Sequence, residues 1–102
     1  MTDPARAEPA IAHNVDLHRF ETVVEGRVAR CDYRLDGKVM RLVHTEVPAA
    51  LEGRGIAARL VAAALAHARE QGLSVIPVCS YVRTYMRRHP ETAVLLPEGA
   101  TL

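Results

Sequence analysis

"LEGRGIAARLVAAALAHAREQG", residues Leu51–Gly72, is the stretch that changes the period of the chain and settles how it folds. Ile56, Leu60 and Ala64 recur every fourth residue, and Ala57, Val61, Leu65 and Ala68 form the neighbouring row. One amphipathic helix is therefore expected over residues 54–71, stopped by Gly72, the residue type that ends helices in a left-handed conformation. At its start, Gly53 and Gly55 flank Arg54. Glycine allows positive φ and close backbone approach, and a helix N-terminus offers unpaired N–H groups and about half a positive charge. Together they suit an anion, phosphate above all. The spacing is neither G-x-G-x-x-G nor G-x-x-x-x-G-K-[ST], so neither a dinucleotide fingerprint nor a P-loop is present. A plain flexible lead into the helix is the competing reading.

Upstream the period is two. "HRFETVVEG", residues 18–26, sets Phe20, Thr22 and Val24 on one face and Val23 on the other, as a strand does. "RVARCDYRL", residues 27–35, alternates Val28, Arg30, Asp32 and Arg34 against Ala29, Cys31, Tyr33 and Leu35, the second set expected inward. Asp36-Gly37 signals a two-residue hairpin, and "KVMRLVHTEV" follows as a third strand ended by Pro48. Downstream, "LSVIPV" reads as a short buried strand, and "SYVRTYMRRH" as a short helix closed by Pro90. "ETAVLLPEGATL" has no assigned element. The order β-β-β-α-β-α is that of a mixed α/β fold: an antiparallel meander, then a β-α-β crossover, which parallel neighbours require. Residues 1–10, rich in Pro and Ala, are expected as a flexible tail, and residues 11–102 as one domain.

The totals fit such a fold. A chain of 102 residues, 49% hydrophobic and 25% charged, buries roughly two-thirds of its unfolded surface around one modest core. Net charge is +1, which excludes an obvious polyanion binder. Yet between Glu52 and His89 six arginines (54, 59, 69, 83, 87 and 88) face only two glutamates, a local field suited to an anionic ligand. Cys31 and Cys79 have no metal-site spacing, and no metal is expected. With no apolar leader in MTDPARAEPA and no apolar run near 18 residues, no membrane span is expected and the location is read as cytoplasmic. One Phe, three Tyr, no Trp and no recognised motif argue against nucleic acid.

"EGRGIA", placed after the Val47-Pro48 strand end and opening a helix, resembles the pyrophosphate-binding loop of the GCN5-related N-acetyltransferases (GNAT), commonly Q/R-x-x-G-x-G/A. Gly55 and Ala57 fill the small-residue positions. Glu52 stands where glutamine or arginine is usual, so that side chain's contact is lost while the backbone contacts are not. Beyond the next strand, "CSYVRTY" is similar to the family's N-x-x-A-x-x-Y, with Cys79 at the asparagine position and Tyr85 at the tyrosine position. The match runs from about Val43 to Pro90 and is closer still to very short members with little material to shape an acceptor pocket. The resemblance implies a GNAT-like fold whose β-α-β crossover carries a coenzyme A site, acetyl-coenzyme A as co-substrate, and transfer to an unidentified amine. It implies cofactor contacts at Val47, Gly53, Arg54, Gly55, Ile56, Ala57 and Arg59.

Catalytic candidates follow from what acetyl transfer needs: a deprotonated amine, a polarised thioester carbonyl and a proton for the departing thiolate. Tyr85 is the candidate acid by family position; otherwise its ring simply packs. Glu46 is the candidate base, two residues from His44 on one strand face; otherwise the two are a surface pair. Cys79 precedes a helix, whose N-terminus favours a thiolate. It is either a nucleophile that forms an acetyl-cysteine or a small packed residue beside the thioester. Cys31 is expected in the core. His89 is expected to cap a helix C-terminus, and Arg83, Arg87 and Arg88 to face phosphates or solvent. The rival to an N-acetyltransferase is a non-catalytic acyl-coenzyme A binding or protein-interaction module on the same fold, as a monomer or weak homodimer.

Overall fold

The computed structural model describes residues 10–102; apart from Ala10, the expected N-terminal tail lies outside the described residues. Five strands are present: β1 (Ala12–Asn14), β2 (Arg19–Val24), β3 (Arg27–Asp36), β4 (Val39–Glu46) and β5 (Ser74–Pro77). There are two α-helices, α1 (Ile56–Glu70) and α2 (Ser80–Arg88), with a 3-10 turn before the first at Ala49–Leu51 and another after the second at Pro90–Leu95. The sheet order is β1-β2-β3-β4-β5, antiparallel up to β4 and parallel between β4 and β5. This is the expected mixed α/β architecture with one strand added at its front. β1 is too short to leave a period in the sequence.

The two faces of the sheet separate as the alternation requires. Phe20, Ala29, Cys31 and Tyr33 are buried under α1, whose Leu60, Val61, Ala64, Leu65 and Ala68 complete the core, while Val23 is 61% exposed on the other face. Leu35 departs from its expected buried place: it is 49% exposed although its cross-strand partner Met40 is fully buried. The hairpin loop is also one residue later than Asp36-Gly37. Asp36 still pairs with Val39, so the loop is Gly37-Lys38, with Gly37 at φ 59°, the first loop position where a type II′ connection takes glycine.

The crossover helix starts at Ile56 rather than 54, because Gly55 occupies its N-cap in a left-handed conformation. Its end is a Schellman motif: Gly72 lies at φ 66°, its N–H donates to the Arg69 carbonyl, and Leu73 N–H donates to the Ala68 carbonyl at 2.8 Å. The chain then turns straight into β5.

One irregularity in the sheet has consequences for the site. Tyr33 pairs with Leu42 but Asp32 pairs with His44, so Val43 is the extra residue of a bulge. Before it, Met40 and Leu42 point into the core and are fully buried. After it the alternation is reversed: Thr45 reaches Cys31 and Val47 packs on the core, while His44 and Glu46 are exposed.

Candidate functional site

Past Pro48 the chain makes a 3-10 turn anchored by the fully buried Leu51 and then runs through Gly53 (φ 81°) and Gly55 (φ 75°) into α1. A Cβ at either glycine would meet nothing within 4 Å. The positive φ, not crowding, therefore selects glycine here. The first intrahelical bond is Arg59 N–H to the Gly55 carbonyl, so the N–H groups of Ile56 to Ala58 have no acceptor within the helix. No side chain caps them, and no acidic residue lies in the first turn. They open beside a cavity of about 280 Å³ lined by Val47, Leu51, Glu52, Gly53, Gly55, Ile56, Ala57 and Tyr81. Five of the seven residues singled out as cofactor contacts thus share one cavity. Arg54 turns away from it, its Nη2 reaching Glu25 at 3.2 Å and the Ala50 carbonyl at 3.5 Å. Arg59 is half-buried in the first turn of α1.

The second component is a split in the sheet. β5 pairs with Val39–Leu42 only; the last rung is Cys79 N–H to the Leu42 carbonyl at 2.9 Å. β4 runs on through Val43–Glu46, past its last β5 partner, while the other chain turns into α2. Cys79 sits at this fork as the N-cap of α2. Its Sγ lies 3.8 Å from Thr45 Oγ1, which in turn lies 3.8 Å from Cys31 Sγ. Thr45 therefore connects the two thiols, a juxtaposition absent from the linear spacing because the bulge alone turns Thr45 inward. Burial pushes the Cys31 thiol up to about 11, so it stays protonated in the core, as expected.

The two tyrosines of α2 share a face four residues apart but have different surroundings. Tyr81, unnoticed in the sequence, lines the cavity at the glycine loop. Tyr85 lines a second cavity of about 230 Å³ with Ala62, Leu65 and Ala66 of α1, its ring stacked on His89 at 4.0 Å. Burial, more than any neighbouring charge, raises both phenols above the ordinary tyrosine value, which keeps both hydroxyls protonated. His89 is the helix C-cap, Nδ1 donating to the Tyr85 carbonyl at 2.8 Å. Arg83 is half-buried, and its guanidinium donates to the Val78 carbonyl at 2.8 Å and the Pro77 carbonyl at 3.3 Å, fixing the turn from β5 into α2. An Arg four residues after a helix N-cap gives no local sign of that task.

Glu46 lies on the opposite sheet face from Thr45. It contacts His44 Nε2 at 3.4 Å and Arg30 Nη2 at 3.6 Å. The structure does not bring it together with Cys79 on one face; it stands across the split end of β4. Among the described residues no group of three or more His, Cys, Asp or Glu side chains is arranged to hold a metal ion, and no helix is long and apolar enough to cross a membrane.

Comparison with known proteins agrees with this geometry. The family profile described as GCN5-related N-acetyl-transferase matches residues 19–95, which spans β2 through the last 3-10 turn. Protein NATD1 of Homo sapiens is 42% identical over 59 residues, covering 57% of this chain and 52% of its own. The Gallus gallus protein of the same name is 42% identical over 59 residues, covering 57% and 54%. The chain thus spans about half the length of these curated relatives. The NMR solution structure of a GCN5-like protein from Staphylococcus aureus superposes with a TM-score of 0.69 at 24% identity, covering 86% of this chain and 87% of that one; it establishes the shared fold.

Proposed function

The chain belongs to the GCN5-related N-acetyltransferase family, and from that membership we propose that it binds acetyl-coenzyme A and transfers the acetyl group to an amine. The observation that carries the reading is the uncapped N-terminus of α1, opening beside the cavity of the glycine loop and next to the fork of β4 and β5. First-turn N–H groups and the helix dipole take the pyrophosphate, with Val47, Gly53, Gly55, Ile56 and Ala57 as its walls. Arg54, once freed from Glu25, and Arg59 supply positive charge at the rim. The exposed edge of β4 beyond Leu42 offers backbone groups to the extended arm of the cofactor, and the thioester comes to the fork beside Cys79.

The chemistry balances with few groups. The amine nitrogen bonds to the thioester carbonyl carbon, the carbon–sulfur bond breaks, and coenzyme A leaves as a thiolate that takes up a proton. Glu46, with His44, receives the proton lost by the amine. Tyr85 holds the acid's place by family position, and Tyr81, one turn earlier on α2, lines the loop cavity where the pyrophosphate lies; the acid is assigned to Tyr85. A two-step route is favoured by one observation, the Thr45 hydroxyl at Cys79 Sγ. There the Cys79 sulfur bonds to the thioester carbonyl carbon, its proton passes to the departing coenzyme A thiolate, and the amine then displaces the Cys79 sulfur, which takes up the proton the amine loses.

Calorimetric titration with acetyl-coenzyme A tests the core of the proposal: saturable heat is expected, and none at millimolar ligand overturns it. Loss of turnover in Tyr85→Phe but not Tyr81→Phe supports the acid assignment, and the reverse moves the acid to Tyr81. An acetyl mass adduct lost in Cys79→Ala supports the two-step route. Binding without turnover over a broad amine panel, unchanged by Cys79→Ala, leaves a non-catalytic acyl-coenzyme A module.

A further inference from the structure

The largest cavity described, about 440 Å³, lies on the open face of the sheet, the side away from α1, and its wall includes His18, Arg19, Arg30, Asp32, Arg34 and Val43. Most of these charges are already matched. Arg19 pairs with Glu21, and Arg30 lies between Asp32 Oδ2 at 3.4 Å and Glu46 at 3.6 Å. Two are not. Asp32 Oδ1 is shut off from solvent and accepts no hydrogen bond. Arg34, exposed, has no ion pair or hydrogen bond among the described residues and stands directly opposite Arg41 in the β3–β4 register, a cross-strand placement of like charges that costs stability.

A buried carboxylate oxygen without a donor costs stability, and the terminal torsion of Asp is soft. A small turn therefore presents the carboxylate to a donor in the cavity it lines, and a cationic amine is the strongest such donor. Arg34 in the same wall wants an anion and has the planar fork that fits a carboxylate. The position is also right for acetyl transfer. Val43, at the cavity edge, is the bulge residue directly after Leu42, whose carbonyl holds the Cys79 N–H. His44 is the cross-strand neighbour of Asp32 and contacts Glu46, so proton acceptors stand on the same face.

We propose that this cavity is the acceptor site and that the acceptor is a small amino-carboxylate: its ammonium group is held by Asp32, its carboxylate by Arg34, and its nitrogen is directed to the fork of β4 and β5 past Val43. This rests on the acetyltransferase reading for its chemistry but not for its binding. The cavity volume lies in the range of small-molecule sites, roughly 300–1,000 Å³.

The test uses the full chain and two readouts. In NMR titrations without acetyl-coenzyme A, β-alanine and γ-aminobutyrate are expected to shift the amides of Asp32, Arg34 and Val43 saturably, with propylamine and butyrate at least about tenfold weaker. In transfer assays kcat/KM for γ-aminobutyrate is expected to exceed that for butylamine at least about tenfold, with the ratio collapsing toward one in Arg34→Ala. In Asp32→Asn a raised KM for γ-aminobutyrate with kcat little changed is expected. If acetyl-coenzyme A binds and reacts while amines with and without the carboxylate perform alike, or if a peptide amine outperforms every small one, the acceptor proposal falls and the acetyltransferase reading stands. If acetyl-coenzyme A does not bind, that reading falls, and the NMR titration still decides whether the cavity takes an amino-carboxylate; unshifted amides overturn it.

Discussion

The two halves of β4 differ more than any two strands of the molecule. Val39–Leu42 is paired on both sides, with β3 and β5, and its inward Met40 and Leu42 are fully buried. Val43–Glu46 is paired with β3 alone, begins with the bulge, and sets Thr45 on one face against His44 and Glu46 on the other. One continuous strand therefore serves as scaffold in its first half and as candidate site in its second. The lesson is that the bulge, one inserted residue, exchanges the faces without breaking the strand. Loops carry sites because they are free of ladder hydrogen bonds; here half a strand has that freedom on one side while keeping the rigidity of the other.

The sharpest way to break this comparison is to truncate each half. Leu42→Ala is expected to cost ~2–5 kcal/mol as a buried cavity mutant, whereas Glu46→Gln, in a surface ion pair, should cost no more than about 1 kcal/mol. Urea denaturation of both variants measures the difference, and similar costs would remove the distinction between scaffold and site. The thiols test the same boundary. Cys79 at the fork is half-buried and Cys31 is fully buried, so iodoacetamide should modify Cys79 at least about a hundredfold faster, Cys31 reacting only through opening of the sheet. Peptide mapping by mass spectrometry reads this, and equal rates would mean that the second half of β4 does not hold its pairing with β3.

A smaller effect is expected at the glycine loop. Gly55→Ala places a side chain at φ 75°, a left-handed penalty of about 1–2 kcal/mol. The first turn of α1 should then shift, weakening acetyl-coenzyme A about tenfold in calorimetry with both halves of β4 intact by far-UV spectra. Unchanged affinity would detach the loop from the ligand.

The smallest effect lies away from β4. His13 stacks on Phe20 at 4.3 Å, meets His67 edge-on at 4.4 Å and bonds Tyr33 through Nε2. Burial first, then His67 and His18, lowers its pKa below 6.5. The folded chain then binds fewer protons than the unfolded one, so this contribution is complete above 6.5 and is lost as pH falls toward the folded value. Melting temperature should decline modestly below about pH 6.5, with His13→Gln flattening the dependence. The decline should come from β1 and its neighbours, leaving hydrogen exchange at the Leu42–Cys79 rung unchanged.

How much of this was readable in the chain follows from the range of the causes. Ile56, Leu60 and Ala64 mark a helix because the period acts within a few residues, and Gly72 marks its end for the same reason. Phe20, Thr22 and Val24 separate from Val23 through an equally local alternation. Leu35 alternates inward yet is 49% exposed, since alternation sets direction and not burial. β1 was invisible, since three residues cannot establish a period and its stability comes from pairing with β2. Within the site, Gly53 and Gly55 were legible because positive φ is a property of the residue type. Tyr81 and Thr45 were not, because their surroundings come from distant segments, and Arg83 was not, because no residue type marks the two carbonyls just before it that it bonds. Tyr85 had a motif position in its favour but lies against α1 and His89.

The sequence by itself determined the element types, the helix-covered face of the sheet, the crossover and the glycine-led helix, since periodicity, turn chemistry and φ preference are short-range. The tertiary structure alone decided that Val43 bulges, that β4 and β5 part after Leu42, that Thr45 meets both Cys31 and Cys79, and that Asp32 and Arg34 share a cavity. These depend on register summed over several strands, and a one-residue shift reverses the face of every side chain beyond it.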